Sequence, residues 1–143
     1  MAEDKKQSKD LIGALEDVFG KLPKLPSGVN DVLVNIAPWL ALVFGILGVI
    51  GGLSAIGISP LALFGGVNAG FTVLATGVAA IVSSVLMLMA FPKLKKRVYK
   101  GWELLFWSEV VSTVSAVLSI TVGSIIGVLI GFYLLFQIKR YYK

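Results

Sequence analysis

One carboxylate stands out by where it falls. Glu109 lies between an aromatic segment, Trp102–Trp107, and a charge-free run, Val110–Ile138. An ionisable side chain inside hydrocarbon is costly and is by default a candidate for function. A carboxyl group there suits proton coupling or cation binding. Ser108, Ser112, Ser115 and Ser119 recur at helical spacing around it. Asn68, Thr72, Thr76 and Ser83 form a second polar stripe in the preceding apolar run. Such stripes either join helices, at about 0.6 kcal/mol per hydrogen bond, or line a polar path. Many serines and threonines in membrane helices simply bond the carbonyl one turn back. Glu109 has a plainer alternative too: a place near the headgroups, or a pair with Lys100 or Arg97. Glu103 is six residues from it and on another helical face, so the two acids form no acid–base pair.

Other chemistry lacks its parts. The chain has no cysteine and no histidine. Thiolate nucleophiles, zinc sites, Ser–His triads and His-ligated haem are therefore excluded. No Gly-rich phosphate loop ending in Lys-Ser/Thr occurs, and no acidic metal cluster. The expectation is a non-enzymatic protein with no cofactor and no metal.

The elements that must hold Glu109 follow from composition. Of 143 residues, 57% are hydrophobic and 15% charged. Mean hydropathy is +0.89. Soluble domains are nearer 45–50% apolar and about 25% charged. This is the composition of a single-domain integral membrane protein. A crossing helix needs about 20 residues. Val32–Pro92 carries no charge and is long enough for two. Pro60 is expected to break it, because it removes a backbone donor and disfavours helix at Ser59. The first span is then 38–58, with Pro38 at its start, and the second is 68–91, ended by Pro92. Residues 61–67 are expected as a hydrophobic loop or cap. The stretch 102–138 is too long for one crossing and is expected as two short ones, 102–118 and 122–138, with a turn near Ser119–Gly123.

Charge sets the topology. Lys93, Lys95, Lys96, Arg97 and Lys100 form one basic cluster, and Lys139, Arg140 and Lys143 close the chain. Basic loops stay on the cytoplasmic side. Four spans place both clusters and both termini inside, in a bacterial-type plasma membrane. The basic loop, with Trp102 beside it, is expected to contact the inner membrane surface and its anionic headgroups. A folded basic face for nucleic acid has no room here.

Small residues also align. Gly45, Gly48 and Gly52 mark one face of the first span, between Ala41 and Ala55. Gly66 and Gly70 open the second span, and Gly123, Gly127 and Gly131 make two consecutive GxxxG units in the last. Close backbone approach drives helix association in lipid. These faces serve packing within one bundle or, most of all in the last span, a homo-oligomer or a membrane-protein partner.

Residues 1–28 form a separate segment. Leu11, Ile12, Leu15, Val18, Phe19 and Leu22 recur at helical spacing. An amphipathic helix over about 8–22, capped by Ser8, is expected on the inner membrane surface or on a partner. Its acids could face the Lys93–Arg97 loop. Pro23 and Pro26 make the following stretch a stiff linker.

The expected fold is all-α: a four-helix integral membrane bundle, 29–143, preceded by a short amphipathic interfacial helix. The favoured function is a scaffold or subunit acting through its packing faces, its basic loop and its N-terminal helix. The alternative is a small oligomeric transporter or pore, proton- or cation-linked and holin-like at the limit. That alternative uses Glu109, Ser112 and Ser115, with Asn68 and Thr72.

Overall fold

The structure, a computed structural model, describes residues 2–143, leaving out the side chain of Ser119. The fold is all-α. Five helices follow in order: α1 (Ala2–Phe19), α2 (Ser27–Ala62), α3 (Val67–Lys95), α4 (Tyr99–Ser119) and α5 (Val122–Ile138). Three helical stretches, Ser27–Gly65, Val67–Lys95 and Val122–Tyr141, are long and apolar enough to cross a membrane. α4 has 21 residues and carries Glu103 and Glu109, which dilute its apolar character.

Successive helices from α2 onward pack side by side, each against the next. The long outer faces of α2, α3 and α5 expose Leu, Ile, Val and Phe, as lipid-facing surfaces do. The α2–α3 seam is built on glycine. A Cβ at Gly52 would lie 2.8 Å from the Gly77 carbonyl oxygen, and one at Gly45 would lie 3.3 Å from that of Ser84. One at Gly48 would strike the Ser84 side chain. Small residues here let two backbones touch, which gives dispersion and Cα–H···O contacts where water offers no drive.

The prolines do not break helices where expected. Pro38 lies in the interior of α2, which begins at Ser27, and Pro60 lies in its last turn. α3 runs through Pro92 to Lys95. In a membrane bundle a proline costs one backbone bond, and neighbouring helices hold the rest of the helix in place. Pro38 is itself buried. The real break is Gly66. After a short 3-10 turn, Leu63–Gly65, its φ of 111° turns the chain into α3. That conformation is costly for any residue with a Cβ. The expected hydrophobic cap at 61–67 is thus a turn of only four residues, 63–66. The other far turn is tighter. Ile120 (φ 39°) and Thr121 alone join α4 to α5.

α1 also differs in extent and in place. It begins at Ala2, so Ser8 is no cap; its hydroxyl donates to the Lys5 carbonyl at 3.0 Å. Its apolar face packs on the protein's own α5. Ile12 and Phe19 are buried, and the Phe19 ring meets Phe132 and Phe136 at 6.0 and 5.7 Å. Glu16 pairs with Lys139, not with the Lys93–Arg97 loop. The linker is strapped down as well. The Tyr133 hydroxyl and Gln137 Nε2 donate to the Pro23 carbonyl at 2.6 and 3.2 Å, and Leu25 N–H donates to Gln137 Oε1 at 3.2 Å.

The core sits at this end. Trp102 and Phe106 are fully buried and stack 5.7 Å apart, with Phe132 and Phe136 edge-on. Trp102 Nε1 donates to the Leu135 carbonyl at 2.8 Å. Trp102, expected at the membrane surface, is therefore the centre of the α4–α5 contact. Its indole has a protein partner for its one donor, which the surface was expected to supply. The C-terminal residues return to the basic loop: Tyr99 N–H donates to the Lys143 carbonyl and Lys143 N–H to the Arg97 carbonyl. α1, the basic loop and both chain ends thus share one end of the bundle.

Candidate functional site

Glu109 lies ten residues into α4, about 15 Å along its axis. It is half-buried, and its carboxylate lies against Gly131 of α5. A Cβ on Gly131 would collide with the carboxylate oxygens. The third glycine of the α5 series is thus a seat for Glu109. Among the described residues no lysine or arginine pairs with this carboxylate, and no hydrogen bond reaches it. Lys100, one partner expected for it, lies 3.8 Å from Glu103. Arg97, the other, donates to Asn35 Oδ1 at 3.0 Å.

Two cavities meet at this carboxylate. One, of about 470 Å³, opens between α3, α4 and α5 toward the far turns. Thr76, Ser83, Ser112, Ser115 and Ser124 set hydroxyl groups into an otherwise apolar wall, and Gly127 leaves it open. The other, of about 220 Å³, runs toward the end that carries the termini. Its walls are apolar, from Leu33, Ala37 and Phe44 of α2 to Leu134 and Leu135 of α5; Glu109 and Ser108 are its polar members. Glu109 therefore stands at the boundary between a hydroxyl-lined groove and an apolar chamber.

Most of the hydroxyls are engaged with their own helices. Ser83, Ser108 and Ser112 donate to the carbonyls of Ala80, Leu105 and Ser108, and Thr76 to that of Thr72. Each keeps acceptor lone pairs for water or a cation. Asn68 and Thr72 do not line the groove. Thr72 donates to the Asn68 carbonyl at 2.8 Å, and Asn68 is exposed at the start of α3. Ser119 belongs to the serine series, but its side chain lies outside the described residues.

The remaining expected residues separate into two groups. Gly45, Gly48 and Gly52 are consumed by the α2–α3 seam, whereas a Cβ at Gly123 or Gly127 would meet open space. Lys95, Lys96, Arg97 and Lys100 are exposed and Lys93 is half-buried. Lys95 Nζ lies 5.4 Å over the Trp39 ring and 5.6 Å from that of Phe91. The sequence contains no signal that pairs Glu109 with Gly131, because the two meet only when α4 and α5 fold back on each other. Leu33, Ala37 and Leu134 likewise look like ordinary lipid-span residues until the chamber forms. Comparison with protein-family models, with curated proteins and with solved structures finds no match to this chain.

Proposed function

We propose that the protein is a small multi-pass membrane protein for proton- or cation-linked transport, with Glu109 as the group that takes up the proton or cation. In this reading α4, folded back along α3, makes a fourth crossing, and both chain ends lie in the cytoplasm of a bacterial-type cell. The observation that carries it is a carboxylate with no basic partner, seated on Gly131 where a groove bearing Ser and Thr hydroxyls meets an apolar chamber. A buried charge lacking a partner is expensive to keep. A proton or a monovalent cation arriving through the Ser/Thr groove would neutralise it. The hydroxyl lone pairs of Ser112 and Thr76 would hold water or the cation on the way. Proteoliposome flux tests this. Glu109→Gln keeps the shape and removes the charge, and proton or cation movement should fall at least tenfold. Unchanged flux would remove the basis of the proposal.

A second reading, a scaffold or subunit, has its own observation. Gly123 and Gly127 present an open small-residue face on α5. A homo-oligomer or a membrane-protein partner would close over that face. The natural chain has no cysteine, so Gly127→Cys gives a single reporter. A disulfide-linked dimer in native membranes would support a homo-oligomer, and its absence would count against one.

A further inference from the structure

We propose that a third cavity, at the end carrying the chain termini, binds a phosphate group. It holds about 500 Å³ and lies between α1, the linker and the end of α5. Lys24, Lys139 and Arg140 line it, against the single acid Glu16. Glu16 is spoken for by Lys139. That leaves Lys24 and Arg140 with no carboxylate partner among the described residues. The Arg140 guanidinium lies 5.1 Å over the Tyr141 ring and makes one long contact, 3.4 Å, to that residue's hydroxyl. Most of its five donors stay free for a planar or tetrahedral anion.

Tyr142 lines the cavity with its ring and is 4% exposed. Gln137 is held by the linker strap through both its amide oxygen and its amide nitrogen. Phe19, Leu22 and Phe136 give the cavity an apolar flank. Two cations without a carboxylate partner, beside an apolar wall, match a phosphate ester. The source is either an anionic lipid headgroup at the same depth or a soluble phosphate.

The test uses the full chain in neutral detergent, with intrinsic tryptophan fluorescence as readout. Trp102 is a built-in reporter, since Lys139 Nζ lies 5.5 Å over its ring. Short-chain phosphatidylglycerol should bind saturably and at least tenfold more tightly than phosphatidylcholine of the same chains. Inorganic phosphate and glycerol phosphate form the soluble arm; competition by either at millimolar level assigns the site to a soluble phosphate. The K24A/R140A pair should lose at least tenfold in affinity. K5A/K9A, two exposed lysines of α1 outside the cavity, should stay within twofold. Equal binding of the two lipids with no effect of either soluble phosphate would overturn the proposal. So would an equal loss in K5A/K9A, which would mean diffuse charge attraction, or unchanged affinity in K24A/R140A.

Discussion

Gly51 and Gly52 are neighbours in α2, and the structure predicts opposite responses to the same methyl group. At Gly52 an added Cβ would lie 2.6 Å from Ile81 Cγ1, 2.8 Å from the Gly77 carbonyl oxygen and 3.2 Å from the Ile81 nitrogen. The Ile81 side chain can rotate away, but the other two atoms are backbone. Restoring ordinary contact requires α2 and α3 to part by about half an ångström, and a gap of that size forfeits a quarter or more of each dispersion contact it opens. Overpacking of this kind costs about 1–3 kcal/mol. At Gly51 an added Cβ meets nothing within 4 Å. Alanine there should be neutral or stabilise by up to about 1 kcal/mol, through helix propensity alone. The assay is denaturant unfolding in detergent, followed by tryptophan fluorescence and by far-UV circular dichroism. Trp39 on α2 packs edge-on against Phe91 on α3 at 5.8 Å, so it reports on this seam. Equal changes in the two variants, of either sign, would refute the reasoning, because only contact with α3 distinguishes the sites.

Gly131→Ala should displace the Glu109 carboxylate and lower flux as Glu109→Gln does, whereas Gly123→Ala, in open space, should leave flux intact; proteoliposome assays of both check this. Trp102→Phe removes the 2.8 Å bond to the Leu135 carbonyl and should cost at least about 0.5–1.5 kcal/mol in the same unfolding assay. Phe19→Ala should release α1, since a buried phenylalanine truncated to alanine costs about 3–5 kcal/mol. Limited trypsin digestion at Lys21 and Lys24 should then quicken while the bundle resists. Glu16→Gln breaks an exposed ion pair worth about 0–1 kcal/mol and should quicken cleavage far less.

What the sequence disclosed is what local patterning controls. Charge-free runs located the helices that are long and apolar enough to cross a membrane, and the Ser-Ile-Thr-Val-Gly stretch located the α4–α5 turn. Glycine spacing marked Gly45, Gly48 and Gly52 as a seam. The errors concern what only neighbours decide. Pro60 and Pro92 read as breaks and Pro38 as a helix start because each lacks a donor, yet packed neighbours hold all three inside helices. Trp102 read as an interfacial anchor, since nothing local reveals that a carbonyl 33 residues later will take its proton donor. Glu109 was visible as an oddity in composition, but Gly131 and the apolar chamber beneath it come from tertiary approach. Glu16 meets the C-terminal basic cluster and not the Lys93–Arg97 loop for the same reason: Lys139 is 123 residues away in sequence and adjacent in space.

The two-residue link between α4 and α5 bears on how the chain is made. Ile120 and Thr121 leave no room for the ends of these helices to separate. α4 carries two acids and is the helix least able to leave an insertion machinery by itself, whereas α5 has no charge at all. If α4 makes the proposed fourth crossing, helices tied so closely would partition as one hairpin, with the apolar partner drawing in the polar one. Synthesis would therefore hold Glu109 in waiting until Gly131 emerges some 22 residues later. The carboxylate meets its seat only as the last helix arrives, so a chain stopped short of α5 would strand an acid with nowhere to lodge.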